Sequence, residues 1–406
     1  MKLTIIMYLL SIAFIISSCS FGRHKQEGLP FIDVRKEYPE KELTLTDFAD
    51  VTYINLNSDN ENYLYKSILF RYCITENTFV MYDNSSFSIL FFSKEGTPKS
   101  RFNRNGQGPE DYWGLTRLLY DEESDDLYVI NDQAPYIQVY SSIGDYKRKI
   151  PLPQQKLVTK SNVKITQQVE LSTLVSYDNL SFLAYWDNHS TVLNKTYGFP
   201  AYTTYYRISK ENGEILNSFN LPRNDIPLAV SDNAGGSIMG FPVRLIKSID
   251  GFLLCNPESD TVFLYARDHS ISPVFHKIPS IANLDPMMYI SIIADVSRYQ
   301  FFTIKKIPKT HYSTDVYPVA YFRDKETNEI FRQNIILPEY QGEKFNITAI
   351  LPTNAVGDTN GYVFNLDLTV LKKANTENRL SGKLKEMVDK LNELEDNNIF
   401  MIVRFK

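Results

Sequence analysis

Between residues 78 and 150 short apolar runs alternate with brief polar turns, and the pattern occurs twice in one register. Laying TFVMYDNSSFSILFFSKEGTPKSRF (78–102) over DLYVINDQAPYIQVYSSIGDYKRKI (126–150) needs no gap at an offset of 48. Phe79 then falls on Leu127, Asp83 on Asn131, Ile89 on Ile137, Phe92 on Tyr140 and Gly96 on Gly144. A third copy, GFLLCNPESDTVFLYARD, continues the register at an offset of 125 from the second, so that Phe252, Asn256 and Tyr265 fall on Leu127, Asn131 and Tyr140. Each copy predicts an apolar strand, a polar turn and a strand ending in an aromatic residue. A turn near Gly or Asn then leads to a more charged outer strand, which makes a meander. Looser copies, TTYYRISKENGEILNSFNLP and PVAYFRDKETNEIFRQNIILP, put the strand-end positions Phe92, Tyr140, Ile208, Tyr265 and Phe322 at separations of 48, 68, 57 and 57 residues.

A four-stranded unit recurring at that spacing with variable loops predicts an all-β chain, a six-bladed β-propeller. The sixth unit must be assembled from both chain ends. GYVFNLDL (361–368) and the alternating IFMIVRFK supply two strands, and VTYINLN (51–57), which belongs to no other unit, supplies the outer one. Their pairing would close the ring and leave no long apolar edge open. Between the two C-terminal strands, Leu380, Leu384, Met387, Val388, Leu391 and Leu394 recur at helical steps, which predicts one amphipathic helix over 380–394 packed on the outside of the last blade.

The N-terminus changes the compartment. Met1-Lys2 precedes a 14-residue, almost wholly apolar run, Leu3 to Ile16, which has the length of a signal h-region and falls short of the ~20 residues of a membrane span. Ile16-Ser17-Ser18-Cys19 resembles the bacterial lipobox, so Cys19 is the expected lipidated residue. The expected division is a lipoprotein signal peptide over 1–18, a polar tether over 19–30 and the propeller over 31–406. Removing the signal leaves 388 residues, a length that a single propeller can hold. Phe (25) and Tyr (27) outnumber Gly (17), so strands abound and Asn, Asp and Ser make most turns. A net charge of −5 with no basic cluster argues against a nucleic-acid partner or a polybasic membrane patch. The membrane is therefore reached only through the lipid, and the expected location is the cell envelope, at the outer membrane. Cys73 and Cys255, each inside a strand-like run, are expected as buried thiols.

The segment from Phe102 to Ile150, and Arg104-Asn105-Gly106-Gln107-Gly108-Pro109-Glu110-Asp111-Tyr112 above all, resembles an NHL-type propeller repeat, in which a Gly-rich turn and an aromatic precede the inner strand. Together with the lipobox and the terminal helix followed by DNNIFMIVRFK, it is similar to envelope lipoproteins described as six-bladed β-propellers of unknown function. The resemblance implies an architecture and no shared catalytic residues. The Gly-rich loop occurs clearly once, and the later blades lack it.

Motifs that carry chemistry are not met. Gly106-Gln107-Gly108 leads through Pro109 to a strand and not to a helix N-terminus, which argues against a phosphate loop and for a tight inter-blade connection. Gly235-Gly236-Ser237-Ile238-Met239 lacks the last Gly of a nucleophile elbow. His24, His189, His269, His276 and His311 show no metal-ligand spacing, so neither metal nor cofactor is expected. The acidic run 121–126 reads as a solvated turn without the ligand alternation of a calcium loop. These readings favour a non-enzymatic module that binds or scaffolds a carbohydrate, peptide or protein. A hydrolase or lyase acting on sugars or lactones is the alternative, because carboxylates or histidines can converge in a folded channel. The binding candidates are the two tryptophans, Trp113 and Trp186, with His189, Arg104, Gln107, Glu110 and Arg244, all in expected loops or blade connections.

Overall fold

The computed structural model describes residues 28–57, 61–65, 71–131, 134–158, 164–168, 170–186, 202–224, 244–307, 318–345, 361–392 and 396–406. Blade 1 is the meander Arg71–Ile74, Thr78–Asp83, Ser88–Ser93 and Pro98–Phe102. Blade 2 repeats it with Arg117–Asp121, Asp126–Ile130, Tyr136–Tyr140 and Tyr146–Pro151. Blade 3 has Glu170–Ser176, Ser181–Trp186, Tyr202–Ser209 and Ile215–Pro222, and blade 4 has Arg244–Ser248, Gly251–Cys255, Thr261–Ala266 and Ile271–Ile278. Blade 5 has Met287–Asp295, Tyr299–Ile307, Val319–Asp324 and Ile330–Ile336. The middle strands match the register read from the sequence.

Blade 6 is made as strand accounting requires. Gly361–Leu366 pairs with Ile399–Phe405, which pairs antiparallel with Ala49–Asn55, from Ile399 opposite Asn55 to Phe405 opposite Ala49. The two ends of the chain thus close the ring.

Side-chain alternation explains why the second strands read as continuous apolar runs. Phe79 and Met81 of blade 1 pack against Phe400 and Val363 of blade 6, whereas Val80 and Tyr82 pack against Leu127 and Val129 of blade 2. Both faces of each sheet are covered, so both parities are apolar. Among the described residues the buried apolar side chains fall into six clusters, one in each gap between neighbouring blades. That partition counts the blades independently of the strands.

The structure adds edge strands that the sequence pattern did not reveal. Phe31–Asp33 pairs in parallel with the outer strand of blade 4, and Glu40–Thr44 in parallel with that of blade 5. After a short helix, α1 (Leu45–Phe48), the chain enters the outer strand of blade 6. Ile32, Glu42 and Thr52, the central residues of the three segments, are ten positions apart, so the chain covers the edges of blades 4, 5 and 6 in order at a constant pace. A hairpin, Gln154–Val158 with Lys164–Gln168, follows blade 2.

The C-terminal helix expected over 380–394 is shorter and has a neighbour. Two helices, α2 (Leu368–Thr376) and α3 (Gly382–Lys390), occupy the connection within blade 6. Asp367 caps α2 by accepting from the Val370 N–H at 3.1 Å. Leu368, Leu371, Leu384 and Val388 enter the cluster between blades 5 and 6, so the helices pack on the last blade as expected. Cys73 and Cys255 are buried free thiols, and burial pushes the Cys73 thiol up. The acidic run forms the expected turn between the first two strands of blade 2, with Glu123 and Ser124 exposed, and departs from it only at its last residue. Asp126 is buried and held by Arg148 at 2.6 Å and Lys147 at 2.9 Å, because the adjacent outer strand brings two cations over it.

Candidate functional site: a clamped connection on one face of the ring

Within a four-stranded meander, the turn between strands 2 and 3 and the connection to the next blade emerge on one face of the ring. The turns between strands 1 and 2 and between strands 3 and 4 emerge on the other. The connection from blade 1 to blade 2, residues 103–116, therefore stands on the first face. It carries Arg104, Gln107, Glu110 and Trp113.

Its backbone is fixed from within and from below. Within the connection, the Tyr112 N–H donates to Arg104 O (2.9 Å) and the Gly106 N–H to Tyr112 O (3.0 Å). The Gly108 N–H donates to the Asp111 carboxylate at 2.9 Å. A Cβ on Gly106 or Gly108 would collide with that carboxylate, which is why the turn needs glycine at both places. Blade 2 supplies three clamps: Tyr140 Oη donates to Glu110 O at 2.7 Å, Gln138 Nε2 to Asp111 O at 2.7 Å, and Asn131 Nδ2 to Trp113 O at 2.9 Å. Tyr112 is itself buried, and its hydroxyl donates to Phe87 O at 2.8 Å, tying the connection to the strand 2–3 turn of blade 1. Burial pushes the phenols of Tyr112 and Tyr140 up, so both remain donors at any ordinary pH.

On this fixed backbone Trp113 is 45% exposed, and Phe87, on the neighbouring turn, is 48% exposed. Arg104 and Glu110 form an ion pair at 3.8 Å, and Gln107 is exposed. The structure thus brings four of the sequence candidates onto one connection. Trp186 ends the second strand of blade 3, opposite Thr204, and Arg244 opens the first strand of blade 4, opposite Cys255. Both positions are at the same face as the clamped connection, but on other blades. His189 and Cys19 lie outside the described residues. Phe87, Asp111, Gln138 and Tyr140 were not singled out by sequence reasoning. The available signal was positional: at the repeat offset of 48, Phe87 coincides with Pro135, an ordinary turn residue.

The same face carries a buried polar knot between blades 3 and 4. Arg223 Nη1 meets Glu258 Oε2 at 2.6 Å with both side chains 1% exposed, and Asn256 Nδ2 donates to Thr203 Oγ1 at 2.6 Å. Lys277 Nζ donates to Asn256 O at 3.0 Å, and burial pulls its pKa down to about 8. These groups fasten one blade to the next. Among the described residues no group of three or more His, Cys, Asp or Glu is placed to hold a metal ion, and no helix is long and apolar enough to cross a membrane.

Residues 23–219 match the family described as 6-bladed beta-propeller (DUF5128). With the sheet order and the partition of the core, this defines the chain as a six-bladed β-propeller. A putative exported protein from Bacteroides fragilis of known structure is similar to it over 91% of this chain and 98% of that one, at 15% identity and a TM-score of 0.55. A member of the duf4221 family from Bacteroides vulgatus aligns over 88% of this chain and 97% of that one, at 11% identity and a TM-score of 0.44. The first likeness bears on the fold alone, and the second superposes too loosely to add to it. No curated protein matches the sequence.

Proposed function

We propose that the chain is a non-enzymatic binding module of the cell envelope, anchored through lipid on Cys19, and that it recognises a carbohydrate on the face that carries residues 103–116. The observation that carries the reading is Trp113, an aromatic side chain nearly half exposed on a backbone clamped at Glu110, Asp111 and Trp113 by blade 2. A large apolar ring left in water on an immobilised loop is a preorganised contact, since little conformational freedom remains to be lost on binding. Phe87, on the turn tied to the same connection through Tyr112 Oη, offers a second exposed ring, and Arg104, Glu110 and Gln107 supply donors and acceptors on the connection itself. Flat apolar faces ringed by hydrogen-bonding groups suit a sugar ring. The signal-like run before Cys19 supports export, and the similar Bacteroides fragilis structure is described as a putative exported protein.

The test is a glycan array probed with the intact mature protein beside Trp113→Ala. Binding to a defined set of glycans, weakened about tenfold or more by the substitution, is the expected result. Glycan binding that Trp113→Ala leaves unchanged would remove the connection from the site. A silent array together with capture on a peptide library would replace carbohydrate by peptide as the ligand class.

A further inference from the structure

The opposite face carries an arrangement that the repeat itself marks as unusual. In the turn between strands 3 and 4 the backbone must enter the left-handed region once. Blades 1, 2 and 3 use glycine there: Gly96 at φ 89°, Gly144 at φ 90° and Gly213 at φ 77°. Blade 5 uses Asn328 at φ 60°, whereas blade 4 uses His269 at φ 68°. A histidine in that conformation costs on the order of 1–3 kcal/mol relative to glycine. The strain is retained, so the imidazole should have a role in which glycine cannot replace it.

Its surroundings define that role. Arg207 Nη1 approaches His269 Nε2 at 2.6 Å and Nδ1 at 3.3 Å. Tyr177 Oη lies 3.0 Å from Nδ1 and donates to Ala266 O at 2.8 Å, and Tyr265 Oη lies 3.4 Å from Nδ1. A neutral ring with its proton on Nδ1 fits this set, with Nε2 accepting from Arg207 and Nδ1–H donating to Tyr177. Tyr265 stacks on the imidazole at 5.9 Å between centroids, and Tyr177 lies at 5.6 Å. Arg207 has no carboxylate partner among the described residues, and its Nε, out of contact with solvent, has no hydrogen-bond partner. The nearby acids make their hydrogen bonds within their own turns and none to Arg207, though they keep their charge: Asp178 accepts from the Leu180 N–H and Ser181 Oγ, and Asp268 from the Ser270 N–H and Oγ. A guanidinium without an ion pair among the described residues is therefore held between the imidazole and the Tyr177 ring, whose centroid is 6.0 Å away, at a half-open rim between blades 3 and 4.

We propose that this rim binds a small oxyanion, a phosphate, sulfate or carboxylate group, between Arg207 and His269. The anion would replace the imidazole as the acceptor of the Arg207 N–H groups. In its other neutral tautomer His269 would then donate to the anion from Nε2–H, with Nδ1 accepting from Tyr265 Oη and the two tyrosine rings holding the imidazole in place. The site is on the opposite face from Trp113 and stands or falls independently of the proposed carbohydrate reading.

The experiment is thermal unfolding and calorimetric titration of the intact mature protein with sodium phosphate, sulfate or acetate, against sodium chloride at matched ionic strength. A saturable rise in melting temperature with at least one of the three oxyanions, absent with chloride, is expected. His269→Gly, which installs the residue the repeat uses, should fold with unchanged or higher stability and bind the anion about tenfold or more weakly. Arg207→Gln should bind weakly as well. An equal anion response in wild type and His269→Gly would overturn the proposal, as would the lack of any saturable response in the wild type. A His269→Gly protein that is less stable yet keeps its anion response would assign His269 to packing alone.

Discussion

Deleting the last strand is the sharpest test of how the ring closes. Residues 399–406 lie between Gly361–Leu366 and Ala49–Asn55, so their loss separates both partners at once. Ile399, Phe400, Met401, Ile402 and Val403 are each 2% exposed or less. At about 1.5–3 kcal/mol for each fully buried side chain, their removal forfeits roughly 8–15 kcal/mol, before any backbone group left unpaired is counted. A folded domain is stable by about 5–15 kcal/mol in total. A chain ending at Asn398 should therefore fail to fold cooperatively or should aggregate. A milder perturbation grades the effect. The Phe400 ring packs on Phe79 of blade 1 at 4.7 Å and on Tyr72 at 5.8 Å, across the gap the closure creates. Phe400→Ala should cost about 3–5 kcal/mol and lower the melting temperature while leaving the ring closed. Circular dichroism melts and light scattering on the truncated, substituted and intact proteins make the comparison. A truncated protein that stays monomeric and melts with the intact one would refute closure by the two ends.

Two further outcomes follow from side chains at opposite extremes of exposure. Lys277, buried with its pKa pulled down to about 8, is a group whose folded-state value lies below the unfolded 10.5. Between those values the unfolded chain holds more protons, so stability rises with pH there, and below about 8 the cost of the buried charge is constant. Lys277→Met should thus be more stable than wild type by up to about 3 kcal/mol at pH 7, with the difference vanishing near pH 10.5. Denaturant titrations at both pH values decide it, and a variant less stable than wild type at pH 7 contradicts it. Cys19→Ser should abolish labelling with radioactive palmitate and move the protein to the soluble fraction, and unchanged labelling would exclude Cys19 as the lipid site.

The blades were legible because their middle strands carry both parities of apolar residue and their turns repeat at fixed offsets. Blade 6 could be recovered by accounting, since Val51 to Asn57 alternates but belongs to no other unit. The two parallel edge strands could not. Phe31–Asp33 and Glu40–Thr44 are short, and backbone pairing attaches them to partners more than 200 residues away without any pattern of their own. Helix α2 was readable in principle, because Asp367 stands where an N-cap should and Leu368 and Leu371 share a face. The candidate connection was found through its Gly-rich turn, but its clamps were not, because Asn131, Gln138 and Tyr140 act from another blade. His269 carries a signal of position, not of metal-ligand spacing. At the offset of 125 it falls on Gly144, where a residue with a side chain contradicts the turn.

The ten-residue pace of the N-terminal segment along blades 4, 5 and 6 has a mechanical meaning. A pull on the chain ahead of Phe31 reaches the short pairing on blade 4 first, then the pairing on blade 5, and only after both have yielded the outer strand of blade 6. The three attachments stand in series, and the weakest is loaded first. Tension at a tether would be dissipated by peeling two peripheral strands from edges that keep their own four-stranded sheets. The seam that holds the ring shut is the last joint in the line to bear load.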